Sequence, residues 1–306
     1  MYDIIIIGGG PAGITAGIYA KRAGVNAVIF EKMGAGGQIM LTDTVENYPG
    51  FISISGPELG QKFEEHAEAV GVEIKYEEVQ KVVTEGKIHR VISDGDEYET
   101  IAVIVATGSQ PRKLQVEGED KFTGRGVSYC AVCDGAFFRD KVVAVIGGGD
   151  SAIKEALYLA SLVRKVIVIH RRDKLRAEKI LQEQAFNNPK IEFVWDSVVE
   201  KILGDDKFEG LLIKNVKNPD EKEELKVDGV FIYVGNIPNT KFVDVEKTSS
   251  GQIITNSVMG TNVPGIYAAG DCRNTPLKQI TTCVGDGALA AYTAAEYVEK
   301  FKGGFI

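Results

Sequence analysis

The stretch Tyr2-Asp3-Ile4-Ile5-Ile6-Ile7-Gly8-Gly9-Gly10-Pro11-Ala12-Gly13 decides the fold. A short isoleucine-rich run, a glycine turn and a helical pattern read as strand, tight turn and helix. Outward from it, Val25 to Phe30 makes a second apolar strand. That strand ends at Glu31, about twenty residues beyond the glycines, where a dinucleotide-binding fold places its ribose-binding acid. The first glycine permits the turn and the second lets the backbone approach a pyrophosphate. Free N–H groups at the helix start then face the negative charge.

The arrangement recurs. Lys141 to Ile146 is an apolar strand, Gly147-Gly148-Gly149-Asp150-Ser151-Ala152 the turn, and a helical stretch runs through Leu162. The third small residue is now alanine. The second strand, Val166 to Ile169, leads into His170-Arg171-Arg172, with Arg176 one helical turn further, so the charge at the ribose position is inverted. Both units also end alike: Val103-Ile104-Val105-Ala106-Thr107-Gly108-Ser109-Gln110-Pro111 is echoed by Val230-Phe231-Ile232-Tyr233-Val234-Gly235-Asn236-Ile237-Pro238. A duplicated dinucleotide fold explains the echo. The tail from Gly265-Ile266-Tyr267-Ala268-Ala269-Gly270-Asp271 to an amphipathic helix at about Gly285 to Phe301 is too short for a domain and is expected to complete the first unit. The predicted fold is α/β, with two Rossmann-like three-layer dinucleotide-binding domains, the second inserted into the first. The expected boundaries are residues 1–113 with 244–306 for the host and 114–243 for the insert, joined by crossings near Pro111 to Val116 and Pro238 to Val243.

The two turns differ as though built for different ligands. Glu31 accepts hydrogen bonds from an unmodified ribose and repels a 2′-phosphate, which suits FAD or NAD. Arg171, Arg172 and Arg176 offer guanidinium forks for a phosphate dianion, which suits NADPH. The plainer alternative is that these arginines only cover a solvent-facing surface.

Composition narrows the field. The chain has 306 residues, 44% of them apolar, and a formal net charge of −8. Its longest basic block is His170-Arg171-Arg172, so a nucleic-acid partner is not expected. The start lacks the basic opening and longer apolar stretch of a signal peptide, and no segment approaches a membrane span, so a cytoplasmic location is the default. Four cysteines are too few for a disulfide-stapled scaffold, and two of them form Cys130-Ala131-Val132-Cys133. That spacing suggests redox chemistry or a metal. Zinc would need two further ligands, and Cys272 and Cys283, in unrelated contexts, supply no second pair; both read as small, mostly buried side chains. Two thiols this close form a disulfide that flavin-derived electrons open readily. Asp134 beside them can serve as the general acid during exchange, or simply start an Asp-Gly turn.

The paired glycine turns, Ala106-Thr107-Gly108, Cys130-Ala131-Val132-Cys133-Asp134, His170-Arg171-Arg172-Asp173-Lys174-Leu175-Arg176-Ala177 and Ala269-Gly270-Asp271 together resemble the low-molecular-weight thioredoxin reductases of bacteria and archaea. The likeness covers essentially the whole chain, including Gly36-Gly37-Gln38 and Val45-Glu46-Asn47-Tyr48-Pro49-Gly50. It implies FAD in the first site, NADPH in the inserted one, thioredoxin or a thioredoxin-like protein as acceptor, and a homodimer. By resemblance FAD falls on Gly8, Gly10, Pro11, Ala12, Gly13, Glu31, Gly37, Gln38, Asn47, Ala106, Thr107, Gly108, Gly270, Asp271, Gln279 and Ile280. NADPH falls on Gly147, Gly149, Asp150, Ser151, Ala152, His170, Arg171, Arg172 and Arg176. Cys133 would face the flavin, Cys130 would attack the acceptor's disulfide, and Asp134 would be the acid. Asp271 would face the ribityl chain, though a plain Gly-Asp turn is an alternative reading. Since nicotinamide and cysteines share the inserted domain and cannot both face one flavin, that domain is expected to swing about the two crossings.

Other readings in this architecture are NADH or ferredoxin as donor, a different thioredoxin-like acceptor, and a flavin-bound redox sensor that does not turn over. His66, in a Glu-rich helical stretch, and His89 lack catalytic companions in sequence. Trp195 reads as a packed aromatic, and Asp220-Glu221-Lys222-Glu223-Glu224 as a surface hairpin turn.

Overall fold

The computed structural model describes residues 1–41 and 44–304 of the 306. The chain divides into two compact units, residues 1–110 with 237–306 and residues 111–236, so the second is inserted into the first. Among the described residues no helix is long and apolar enough to cross a membrane.

In the first unit the strand Tyr2–Ile7 is flanked by parallel neighbours, Ala27–Phe30 and Glu97–Val105, with Ile4 opposite Ala27 and Ala102. A strand covered on both faces must be apolar throughout, and this is why Ile4, Ile5 and Ile6 are fully buried. Each such burial stabilises the fold by about 2 kcal/mol. The strand order is Glu73–Lys75, Ala27–Phe30, Tyr2–Ile7, Glu97–Val105, Ile88–Ser93, Val79–Glu85, the last two forming an antiparallel hairpin. The expected return of the tail is present: Ile266–Ala268 pairs in parallel with Val103 to Val105. The final helix, Ile280–Lys302, begins earlier than the apolar pattern indicates, because Gln279 caps it in a reciprocal box with Thr282. It crosses the helix Pro11–Arg22 backbone to backbone, since a Cβ at Gly287 would collide with the Ala12 carbonyl. His89 is fully buried on the hairpin, its Nδ1 3.1 Å from Thr84 Oγ1, and burial pushes its pKa down.

The insert repeats the plan with a five-stranded parallel sheet, ordered Ile191–Val194, Lys165–Ile169, Val142–Ile146, Gly229–Ile232, Val127–Ser128. Alternation sorts its side chains. Val143 and Val145 pack with the helix Asp150–Leu162, whereas Ala144 and Ile146 join the core beneath an antiparallel meander of Ser197–Leu203, Gly210–Asn215 and Lys222–Leu225. The charged run is thus only partly a turn, with Lys222, Glu223 and Glu224 in the last meander strand. The start of the insert is gripped by buried Glu119, whose carboxylate accepts from Leu114 N–H (2.9 Å), Gln115 N–H (2.7 Å) and Tyr129 Oη (2.8 Å).

The boundaries differ from the sequence expectation of 113/114 and 243/244. Val243 and Val245 lie in the host core with Val82 and Val91, and Val82 N–H donates to the Phe242 carbonyl at 2.9 Å. The chain therefore rejoins the host by residue 237. At the host end, Asn239 Nδ2 donates to the Thr107 carbonyl at 3.0 Å and Asn239 N–H to the Gly108 carbonyl at 3.1 Å. Within the insert, Arg112 N–H donates to the Gly235 carbonyl at 2.8 Å.

Candidate functional site

At the first glycine turn Gly8 has φ +108° and its missing Cβ would strike the Ala106 carbonyl; a Cβ on Gly13 would strike Gly8. Those two glycines serve packing within the protein. Gly10 differs, because a Cβ there would meet nothing nearer than the Gly37 Cα at 4.0 Å. The turn is open on this side, at the start of the helix where Pro11 and Ala12 are its first residues. Glu31 accepts from Gly9 N–H at 2.7 Å and Met33 N–H at 3.0 Å, which places its carboxylate beside the turn. Gln38 is exposed on the short helical turn Gly37–Leu41.

The tail supplies the other side. Gly270, at φ +74°, approaches Ala12 so closely that a Cβ would lie 3.1 Å from the alanine methyl, and its N–H donates to Asp286 Oδ2 at 3.1 Å. The same Asp286 oxygen pairs with Arg273 at 3.0 Å. Burial pushes the Asp271 carboxyl up, opposed by the Lys278 ammonium, and Lys278 itself is pushed down by burial. Asn47 Nδ2 donates to Gln279 Oε1 at 3.1 Å, and Ile280 opens the final helix. Cys283, which no sequence motif claims, sits with Sγ 3.4 Å from Asp271 Oδ1; burial raises its thiol, as does the neighbouring carboxylate. Cys272 is fully buried and pushed up to about 12 for the same first reason.

The second turn copies the first. A Cβ on Gly147, at φ +148°, would strike the Tyr233 carbonyl, and Ala152 occupies the place of Gly13. Gly149, like Gly10, faces open space, with nothing within 4 Å of a built Cβ. Ser151 is exposed, and Asp150 Oδ1 takes the Glu178 N–H at 2.7 Å. Arg176 N–H donates to the Gly148 carbonyl at 2.7 Å, so its main chain is tied to the turn. Arg171, Arg172 and Arg176 are exposed, and among the described residues none of them forms an ion pair. His170 differs from these arginines in its burial. It is buried directly under Gly148, where a Cβ would hit the ring, and burial, with the three arginines adding, pushes its pKa down. The ring lies against the turn backbone and supports it there.

Cys130 and Cys133 are joined by a disulfide, with Cα atoms 5.3 Å apart, at the start of the one-turn helix Ala131–Asp134. Cys130 N–H donates to Ser128 Oγ at 3.0 Å, Cys133 N–H to Cys130 Sγ at 3.2 Å, and Ser128 Oγ donates to Asp134 Oδ2 at 2.6 Å. Ser128, an unremarkable strand residue in sequence, thus fixes the carboxyl beside the sulfurs. Among the described residues no cluster of metal-binding type occurs.

The pyridine nucleotide-disulphide oxidoreductase family matches residues 2–287. A thioredoxin reductase of Listeria innocua is 48% identical over 306 residues, covering 99% of this chain and 95% of the relative, and one of Bacillus subtilis is 48% identical with 99% and 96% coverage. The crystal structure of thioredoxin reductase from Streptococcus pyogenes is 50% identical, covers 98% of this chain and 99% of that one, and superposes with a TM-score of 0.92. The chain belongs to the thioredoxin reductases. As a member of that family it is an FAD-dependent oxidoreductase that uses NADPH. At the start of each helix, Gly10 and Gly149 leave open the space that a side chain would fill. Glu31 is tied by its carboxylate to the first turn, and Arg176 by its main chain to the second.

Proposed function

We propose that the protein passes two electrons from NADPH through FAD to the Cys130–Cys133 disulfide, and from there to the disulfide of thioredoxin. The observation that carries this reading is the disulfide itself, seated in a helical turn with Asp134 fixed beside it, on the unit that also holds the arginine-flanked glycine turn. NADPH supplies a hydride and FAD relays its electron pair. Gly10, against which Gly37 packs, would leave room for the FAD pyrophosphate, Glu31 would accept from the ribose hydroxyls and Asp271 would face the ribityl chain. Arg171, Arg172 and Arg176 clamp the 2′-phosphate of NADPH, which favours it over NADH and over ferredoxin as donor.

Two electrons and one proton open the Cys130–Cys133 bond and leave Cys130 as a thiolate and Cys133 as a thiol. The Cys130 thiolate then attacks one sulfur of the thioredoxin disulfide, and the sulfur that leaves takes a proton from Asp134. Cys133 gives its proton back to Asp134 and attacks Cys130 Sγ, which restores the intramolecular disulfide and expels the second thioredoxin thiolate, protonated by solvent. Because the glycine turn and the disulfide share one unit, that unit turns between the two half-reactions. The protein works in the cytoplasm as a homodimer.

NADPH oxidation in the presence of thioredoxin tests the scheme, with Cys133→Ser alongside. The variant is expected to lose at least about a thousandfold in turnover while its flavin is still reduced by NADPH. Retained turnover in the variant, or full turnover with the two units chemically cross-linked, would overturn the relay or the rotation respectively.

A further inference from the structure

The duplicated fold contains its own control. In the first unit Ala106 N–H donates to the Ile7 carbonyl at 2.8 Å, and the Ala106 carbonyl lies against Gly8. The residue in this position of the insert is Tyr233. Its N–H donates to the Ile146 carbonyl at 2.8 Å, and its carbonyl lies against Gly147. The main chains do the same thing, yet one position is alanine and the other a tyrosine whose phenol burial pushes up, keeping it protonated.

The difference lies in what the side chain reaches. Tyr233 Oη accepts from the N–H of Ala131, a fully buried residue 102 positions away in sequence. A helix of one turn has only unpaired donors at its start, and each needs an acceptor. Cys130, Cys133 and Asp134 find theirs in Ser128 Oγ, Cys130 Sγ and the Cys130 carbonyl, all within residues 128–134. Ala131 finds its own just past the strand Gly229–Ile232. We propose that Tyr233 is a positioning residue for the redox pair: by holding the Ala131 N–H it fixes the turn in which the Cys133 N–H points at Cys130 Sγ. The thiolate formed at Cys130 on reduction then already has a donor, and a charge-assisted one, when it attacks. The inference rests on the reading of Cys130 as the attacking thiol.

The test separates the half-reactions by rapid mixing of the intact flavoprotein, parent and Tyr233→Phe. Flavin reduction by NADPH is expected to stay within twofold, because the main chain at Gly147 is unchanged. Re-oxidation by thioredoxin is expected to slow about tenfold, the effect of stranding one buried N–H. Ala131→Pro supplies the second arm by deleting the donor at the first helical position, where proline fits. Cys130, at φ −143° and ψ 101°, already has the extended conformation that precedes a proline. Adding Tyr233→Phe to Ala131→Pro should then change re-oxidation less than twofold. Parent rates in Tyr233→Phe, equal slowing of both half-reactions, or the same tenfold loss in the proline background would each overturn the inference. If Ala131→Pro fails to fold, the single variant still decides. A parent that reduces its flavin with NADPH but not thioredoxin sinks the proposed acceptor instead, and Tyr233→Phe is then compared with it on a small aromatic disulfide.

Discussion

At the first glycine turn the second strand leads into Glu31, whose carboxylate takes the Gly9 N–H; at the other turn the equivalent strand leads into His170, whose ring lies under Gly148. The middle glycine of each turn is pressed by the residue at the strand end, and the last glycine before each helix looks into open space. Backbone geometry is therefore conserved within the molecule while charge is not. The two turns differ in the one or two side chains beyond the strand, which is where the proposed selectivity between the nucleotides resides.

The comparison is broken most severely by Gly13→Ala. Its methyl would overlap the Gly8 carbonyl, so the purified protein is expected to lose its flavin, read from absorbance after gel filtration. The mirror change Ala152→Gly should retain NADPH-driven flavin reduction and cost only about 1 kcal/mol of stability in denaturant unfolding. Next in size is Arg171→Ala with Arg172→Ala. This pair should raise KM for NADPH about a hundredfold and leave KM for NADH almost unchanged, because only the 2′-phosphate is lost as a contact. An equal effect on both donors would mean that the arginines are surface cover.

The smallest effect tests the acid at the tail. A carboxyl raised in the folded state holds its proton longer than in the unfolded chain, so it opposes folding as pH rises from the ordinary carboxylate range through its raised value. Apoprotein carrying Asp271→Asn should lose less melting temperature than the parent over that window. Parallel pH curves would show that Lys278 already offsets the burial.

Much of this was legible because periodicity and glycine spacing are local signals. The isoleucine run, both turns and each copy of the echo that ends in Pro111 and Pro238 are patterns of residues near one another in sequence, and the tail was assigned to the host because it is too short to be a domain. Three things do not. The meander from Ser197 to Leu225 is built of short half-buried strands whose charged last member resembles a turn. The role of His170 depends on lying under Gly148, which spacing groups with the arginines. Ser128, Glu119 and Tyr233 act through partners set by packing, and a hydrogen bond spanning 102 positions has no sequence signature.

The insertion also bears on how the chain folds. The host sheet is completed only when Ile266 pairs with Val103, across a loop that contains the whole insert. Arg112 and Gly235 meet near the two ends of that insert, so once it has folded it closes most of the loop. What remains for the host to close is roughly a quarter of the original length, which lowers the entropy cost by about 1 kcal/mol. The order of events is then set by topology: an insert that folds first acts as a clip, and the slowest pairing in the host becomes an almost local one.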